Sequence, residues 1–143
     1  MKKIIALLLA LVLLAVPLGI SAYAESNYDD LVAPCYDNLS AISAGISEGV
    51  LGFVNCTSDF VSVQTNKTFV LTCYLQRTDG NSAWVNYKSK TETYTGKGSY
   101  TIEKSWFAPS GYAYRTYTKL QIKNSAGTVI ETATVSSSVY YNW

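Results

Sequence analysis

The chain of 143 residues carries 11 lysines and arginines against 10 aspartates and glutamates, and it contains no histidine. That length suits one compact domain, and the near-neutral charge argues against a nucleic-acid-binding protein, for which a clearly basic domain is typical. The lack of histidine excludes Ser-His-Asp and Cys-His catalysis and most of the usual zinc ligand sets. Phosphate-binding glycine loops and acidic calcium loops are missing from the sequence as well. We therefore predict a protein that is not an enzyme, with no catalytic residues, no metal and no cofactor.

Residues 1–24 have the order of a secretory signal peptide. Lys2 and Lys3 precede the apolar run Ile4–Val16, Pro17 ends that run, and residues 21–24 read SAYA. The alternative is a membrane anchor, but the run is shorter than the roughly 20 residues that span a bilayer. We expect cleavage after residue 24 and a secreted, extracellular product with no transmembrane segment.

Charge is distributed unevenly along the remaining 119 residues. Residues 25–66 hold six acids and no lysine or arginine, whereas residues 67–143 hold nine cations and four acids. Either the two halves attract one another across the fold, or the second half presents a basic face.

All three cysteines, Cys35, Cys56 and Cys73, lie in the exported part, where disulfides persist. If residues 53–62 and 67–77 form a hairpin, Cys56 lies directly opposite Cys73. We therefore predict a Cys56–Cys73 disulfide with Cys35 as the odd thiol. The alternative is that Cys56 and Cys73 are two buried free thiols.

Residues 25–40 are acidic, lack regular periodicity and are predicted to be an extended lead-in. Ala41–Glu48 is ambiguous, because its apolar residues fit either a strand or one face of a helix, although Gly45 weakens the helix. After this point the alternation of apolar and polar residues is that of strands separated by turn signals. The predicted strands are Leu51–Ser58, Thr68–Arg77, Trp84–Tyr94, Tyr100–Phe107, Tyr112–Lys123 and Thr128–Ser136. About seven strands in about 100 residues predict an all-β, immunoglobulin-like antiparallel sandwich over residues 41–143.

In the predicted strand Tyr112–Lys123, successive side chains point to opposite sides of the sheet, so every second residue belongs to one face. Tyr112, Tyr114 and the alternate residues after them are predicted to face the interior, with Tyr112 as the corner tyrosine of the sandwich. The other set of alternate residues, from Arg115 to Lys123, is predicted to face solvent and is basic. Together with the solvent phase of the strand from Trp84, it predicts one surface that carries Lys88, Lys90, Arg115, Tyr117, Lys119 and Lys123. Such a surface is expected to attract an anionic cell-surface polymer, a glycan or a partner protein, or it is simply a soluble face that prevents edge aggregation.

Several motifs occur in a characteristic order along the chain. The cysteine-containing FVNCTSDF of residues 53–60 is followed by LQR at 75–77 and by Trp84. GYAYR at 111–115 and GTVIET at 127–132 come later. This order resembles a family of small secreted domains from Gram-positive bacteria that has no assigned function, and the likeness spans nearly all of residues 34–140. The resemblance implies export and a β-sandwich; it implies no activity, so it brings no functional residues with it.

Other readings of the sequence remain open. The protein could be a secreted effector, such as an antimicrobial, toxin-like or inhibitory protein, acting through Trp106-Phe107 or through the aromatic tail Val139–Trp143. Lys104 could be partly inward and form an internal amide cross-link with an asparagine. The carboxylates of Glu92, Glu103 and Glu131 are interpreted as exposed strand residues rather than as a glycosidase pair.

Overall fold

The computed structural model describes residues 36–142, and all regular structure among them is β. The predicted signal peptide, Cys35, most of the predicted lead-in and Trp143 lie outside the described residues. Within them there is accordingly no helix that could span a membrane. The strands are β1 (Leu39–Glu48), β2 (Phe53–Ser62), β3 (Thr68–Thr78), β4 (Val85–Thr95), β5 (Gly98–Phe107), β6 (Tyr112–Lys123), β7 (Val129–Ser136) and β8 (Tyr140–Asn142).

Two antiparallel sheets stack to form the sandwich. The small sheet has the order β1-β2-β5, and the large sheet has the order β4-β3-β6-β7, with β8 paired to the beginning of β6. The prediction of an all-β, immunoglobulin-like sandwich is confirmed. The ambiguous segment Ala41–Glu48 is a strand, since it lies within β1. The eighth strand comes from the aromatic tail, which had not been assigned to a strand.

The predicted hairpin of residues 53–62 and 67–77 is wrong. β2 pairs with β1 and β5, while β3 pairs with β4 and β6, so neither strand has an edge left for the other. The chain between them crosses from one sheet to the other instead of turning within a sheet. The residues that the hairpin register paired therefore face each other across the interior, as shown by Phe60 and Phe69, whose ring centroids lie 5.1 Å apart.

The interior is built from the alternating residues of β2, β3 and β6, the central strands of the two sheets. Each of these strands buries every second side chain along most of its length, as period two requires. The largest fully buried side chains are Tyr114, Phe60, Phe69, Leu71, Leu75, Leu120, Ile122 and Val54. Burial of this apolar surface is the main favourable contribution to folding.

The corner tyrosine is Tyr114 and not Tyr112. The Tyr114 hydroxyl donates a hydrogen bond to the carbonyl oxygen of Pro109 over 2.7 Å, which is the bond back to the preceding backbone that defines this corner. Tyr112 lies closer to the end of the sandwich, where its ring contacts the guanidinium of Arg77. The prediction chose the first tyrosine of the strand, but the corner geometry uses the second.

Buried hydroxyls fasten the edge strand β1 to the large sheet. Thr116 Oγ1 donates to the Gly45 carbonyl over 2.7 Å, and Thr118 Oγ1 donates to the Ser43 carbonyl over 3.3 Å. The Ser58 and Thr118 hydroxyl oxygens lie 2.6 Å apart, which connects the two sheets at the same depth. All three hydroxyl side chains are fully buried. Each therefore needs these partners, because an unpaired polar group in the interior is costly.

The β1–β2 hairpin ends in an unusual turn. Phe53 N donates to the Val50 carbonyl over 3.1 Å, and the two residues between them, Leu51 and Gly52, have φ values of 55° and 78°. Positive φ at both central positions is the pattern of a type I′ turn, for which Asn-Gly is the preferred sequence. Leu51 is the only described residue other than glycine with positive φ, a conformation that is strained for a bulky side chain.

Replacing Thr116 by valine tests the hydroxyl connection between the sheets. Thr116→Val leaves the Gly45 carbonyl without its buried donor, so we expect the free energy of unfolding to fall by about 1–3 kcal/mol. Urea unfolding measures the change. Thr134→Val is the matched control, because Thr134 is exposed on β7, and it should change stability by less than about 0.5 kcal/mol. Equal effects of the two variants would contradict the proposed role of the hydroxyl.

Replacing Leu51 by asparagine tests the strain in the turn. Asparagine tolerates the left-handed region, so Leu51→Asn should raise the free energy of unfolding by about 1 kcal/mol. The control is Val50→Asn, since Val50 is not among the residues with positive φ. Thermal or urea unfolding that shows no gain for Leu51→Asn, or the same gain for both variants, would show that the turn is unstrained.

Candidate functional site

The solvent-facing side of the large sheet carries a row of cations along β6. Arg115, Lys119 and Lys123 lie opposite Gln76, Thr72 and Thr68 of β3, all at positions whose side chains point away from the interior. Tyr117 lies in the same row, opposite Tyr74, and the two rings are 5.9 Å apart. We call this surface, formed by Arg115, Lys119, Lys123, Tyr74 and Tyr117, the cationic face. Four of the six predicted face residues are therefore brought together.

Arg115 is held in place by Trp84 and by Gln76, which is itself held by Asn86. Its guanidinium carbon lies 4.4 Å from the centroid of the Trp84 ring, a cation–π distance. Its Nε donates to Gln76 Oε1 over 2.9 Å, and Gln76 Nε2 donates to Asn86 Oδ1 over 2.8 Å. Because Nε is the nitrogen used, the four N–H groups of the two terminal nitrogens point away from this bond. The side chain is thus ordered before any ligand arrives.

No carboxylate competes with these cations on the same face. Among the described strands, the outward positions of the large sheet hold cationic, apolar, aromatic, hydroxyl and amide side chains but neither aspartate nor glutamate. Glu92 lies opposite Leu71 of β3, and Glu131 lies opposite Ile122 of β6, so both belong to the inner phase. The cationic face therefore has a positive charge that no neighbouring acid on that face neutralises.

Lys88 and Lys90 do not lie on the cationic face, and this part of the prediction is wrong. The pairing of β3 with β4 shifts by one residue between Leu75 and Gln76, so that Lys88 lies opposite Leu75 and Asn86 lies opposite Gln76. The extra residue, Tyr87, forms a β-bulge. A one-residue insertion reverses the side to which every later side chain points, and Lys90 accordingly lies opposite the buried Cys73.

Both displaced lysines stay in solvent at the open flank between β4 and β5. The small sheet has only three strands, and both lysines remain exposed although they are in the inner phase. Lys90 Nζ lies 3.5 Å from Glu92 Oε1, and Lys88 Nζ lies 5.1 Å from the centroid of the Tyr87 ring. Lys104 of β5, which shares a phase with Ile102 and Trp106, is exposed as well. We call Lys88, Lys90 and Lys104 the flank lysines.

The outward positions of the small sheet have the opposite charge. Asp59 and Glu103 are the ionisable residues there, and no lysine or arginine occurs among the outward residues of β1, β2 and β5. Asp59 accepts hydrogen bonds from Thr101 over 2.6 Å and from Ser43 over 3.1 Å. The charge asymmetry of the sequence therefore becomes an asymmetry between the two outer faces of the sandwich.

The acidic residues considered for catalysis do not converge. Glu92 and Glu131 lie on β4 and β7, at opposite edges of the large sheet, and Glu103 lies on the outer side of the small sheet. Glu92 accepts a hydrogen bond from the Tyr94 hydroxyl over 2.8 Å. Desolvation, together with this carboxylate, raises the pKa of Tyr94 to about 12. No group of three or more histidine, cysteine or acidic residues that could hold a metal ion occurs in residues 36–142.

Cys56 and Cys73 are fully buried free thiols in the structure, on facing strands of the two sheets. Burial raises the pKa of Cys56 to about 12, opposed in part by a hydrogen bond with Thr116. Burial also raises the pKa of Cys73, with a hydrogen bond to Ser58 acting in the opposite direction. Because the hairpin is wrong, a Cys56–Cys73 disulfide would have to join the two sheets, and it stays a prediction. Cys35 lies outside the described residues.

Within the aromatic tail, residues 140–142 form β8 of the large sheet. Tyr140 lies opposite Tyr114 and packs against the core, while Asn142 Nδ2 donates to the Ala108 carbonyl over 2.6 Å. Trp106 is also partly buried against the core, and only its neighbour Phe107 is largely exposed. Neither Trp106 nor Tyr140 is therefore available as a free aromatic contact.

The sequence interpretation missed Trp84 and Gln76 as residues that position Arg115. The alternation of Thr68–Arg77 contained a signal for Gln76 and Tyr74, since it placed both in the outward phase of β3. Trp84 precedes the first residue of β4, so the alternation of strand residues does not predict where the Trp84 side chain points. No protein-family model, curated protein or solved structure matches this chain.

Thiol chemistry tests the state of the cysteines. For protein purified without reductant, we expect peptide mapping to recover Cys56 linked to Cys73. After reduction, iodoacetamide at neutral pH should leave both thiols unmodified in the folded protein, because they are buried and protonated, and should label them in urea. A linkage of Cys35 to either residue would contradict the predicted pairing.

Proposed function

We propose that this protein is a secreted, non-enzymatic binding module whose cationic face holds an anionic polymer of the extracellular surface, such as a cell-wall polymer or an acidic glycan. The observation that carries the proposal is the row of Arg115, Lys119 and Lys123 along one strand with no carboxylate on the same face. Export itself rests on the leader sequence of residues 1–24.

The spacing of the cations favours a polymer over a small anion. Neighbouring cations in the row are four residues apart, which on a β-strand is about 13 Å. A single phosphate or carboxylate can contact one of them, whereas a chain with repeated negative charges can contact all three along the strand. Each exposed contact is weak at physiological salt, so affinity depends on how many repeats are engaged together.

Aromatic and hydroxyl side chains of the same face support a saccharide or polyol backbone as the polymer. Tyr74 and Tyr117 offer a pair of neighbouring rings beside Arg115. The Thr72 and Thr91 hydroxyl oxygens lie 3.0 Å apart on the adjoining strands. Rings pack against apolar sugar faces, while hydroxyls exchange hydrogen bonds with the polymer and with water.

Salt elution from immobilised dextran sulfate tests the proposal. The triple variant Arg115→Gln, Lys119→Gln, Lys123→Gln should elute at lower salt than the wild type and bind about tenfold or more weakly at low salt. The matched control removes the three flank lysines as Lys88→Gln, Lys90→Gln, Lys104→Gln. This control changes the net charge by the same amount but should elute close to the wild type.

Two results would overturn the cationic face as the binding site. One is equal elution of the wild type and the Arg115 triple variant. The other is an equal loss in both triple variants, which would show that retention follows net charge and not this face. Trp84→Ala adds a readout of positioning: it removes no charge, yet it should weaken retention because Arg115 loses its stacking partner.

A further inference from the structure

The strand β4 lies at an edge of the large sheet and has one unpaired side. It pairs with β3 along its length, and no other described strand pairs with it. Although β4 has 11 residues, none of them is fully buried, and only Tyr87 and Tyr94 pack against the core. A long exposed strand edge presents a row of unpaired N–H and C=O groups, which is a template for another strand. β4 therefore offers backbone hydrogen bonds to a strand outside the folded chain.

Opposite charges lie two residues apart on this edge strand. Lys90 and Glu92 share the inner phase of β4, opposite Cys73 and Leu71 of β3. Lys90 Nζ lies 3.5 Å from Glu92 Oε1, and Glu92 Oε2 accepts a hydrogen bond from the Tyr94 hydroxyl over 2.8 Å. The two charged side chains are 46% and 41% exposed, so a neighbouring strand can reach both. A cation and an anion on one side of a strand can each face the opposite charge of an identical strand.

The other edge strands lack this arrangement. β5 carries Glu103 and Lys104, but these residues are consecutive, so their side chains point to opposite sides of the sheet. β1 and β7 each carry one acidic residue and no lysine or arginine, and β8 carries no charged residue. Among the strands at the edges of the two sheets, β4 is therefore the one whose charges can match a second copy of itself.

One register brings the opposite charges together. When the two-fold axis of an antiparallel pair passes through Thr91, Lys90 of each copy lies opposite Glu92 of the other. Thr91 then lies opposite itself, and Lys88 lies opposite Tyr94. Moving the axis by one residue in either direction places Lys90 opposite Lys90, or Glu92 opposite Glu92. Because opposite charges stabilise a cross-strand pair and like charges destabilise it, the charges select the register about Thr91.

We propose that β4 pairs with β4 of a second copy of this chain, in antiparallel register about Thr91, and forms a symmetric dimer with one continuous sheet. Lys90 and Glu92 of the two copies make a cluster of four alternating charges on the inner side. The paired segment, residues 88–94, lies beyond the bulge at Tyr87 and is regularly paired with β3. The contact is a single pair of strands, so we expect a dimer that forms reversibly as the protein concentration rises.

The dimer places the two cationic faces on the same side of one sheet. Residues directly opposite each other in an antiparallel pair point to the same side, so the outward side of one copy continues into that of the other. The two rows of cations on β6 are then five strand spacings apart, which is about 24 Å. A polymer that reaches both rows gains avidity without any new kind of contact. The pairing of β4 does not rest on polymer binding, and its test contains no polymer.

Exchange of the paired charges tests the proposal by sedimentation velocity at a series of concentrations. The wild type should shift from monomer to dimer as the concentration rises. Lys90→Glu and Glu92→Lys should each weaken self-association about tenfold or more, because each variant places like charges opposite one another twice. An equimolar mixture of these two variants should associate like the wild type, since every charge meets its opposite in the mixed pair. Lys119→Glu, which makes the same charge change as Lys90→Glu but on β6, is the matched control and should associate like the wild type.

Cross-linking tests the register. In a Cys35→Ser background, Thr91→Cys should form a disulfide between two copies under mild oxidation, because residue 91 lies opposite itself. Thr93→Cys separates the two thiols by four residues along the pair, about 13 Å, and should not cross-link. The proposal is overturned if the wild type stays monomeric at every concentration, or if the mixture of charge variants fails to associate. It is equally overturned if Lys119→Glu weakens association as much as Lys90→Glu, or if Thr93→Cys cross-links as readily as Thr91→Cys.

Discussion

The fold depends on one constraint: β2 and β3, which are consecutive in the chain, must lie in different sheets. Each of them has both edges occupied, so the only remaining way to bury their apolar sides is against each other. The contact of Phe60 with Phe69 across the interior is the result. Because the inner side of each central strand is fixed in this way, the outer side is fixed as well. The cationic face therefore follows from the packing of the core.

The interior combines this apolar contact with a small number of buried polar bonds. Thr116 and Thr118 attach β1 to the large sheet, and Ser58 meets Thr118 between the sheets. Hydrogen bonds of this kind add little net stability, but leaving them unmade would be costly. They consequently determine how the two sheets are aligned, because a shifted alignment would bury hydroxyls without partners. Alignment of the sheets in turn sets which strand edges meet at the open flank.

Much of the fold could be predicted from the alternation of apolar and polar residues, because this alternation depends on each strand by itself and not on its neighbours. The bounds of β6 were predicted without error, and those of β3 were one residue short. Pairing could not be predicted in the same way, since alternation does not reveal whether consecutive strands are hydrogen-bonded or stacked. The misassigned hairpin is an instance of this ambiguity. For the candidate site, the residues of β6 were correctly placed, whereas Lys88 and Lys90 were not, because nothing in the sequence around Tyr87 marks a bulge.

The bulge at Tyr87 has a consequence for how such a surface can change over time. If β4 paired with β3 without the bulge, so that Tyr87 lay opposite Leu75, every residue beyond Tyr87 would shift by one position and point to the other side of the sheet. Lys88 and Lys90 would then lie opposite Tyr74 and Thr72 and would enlarge the row on β6 from three cations to five. The presence of the bulge, more than any single substitution, thus sets the number of cations on this face.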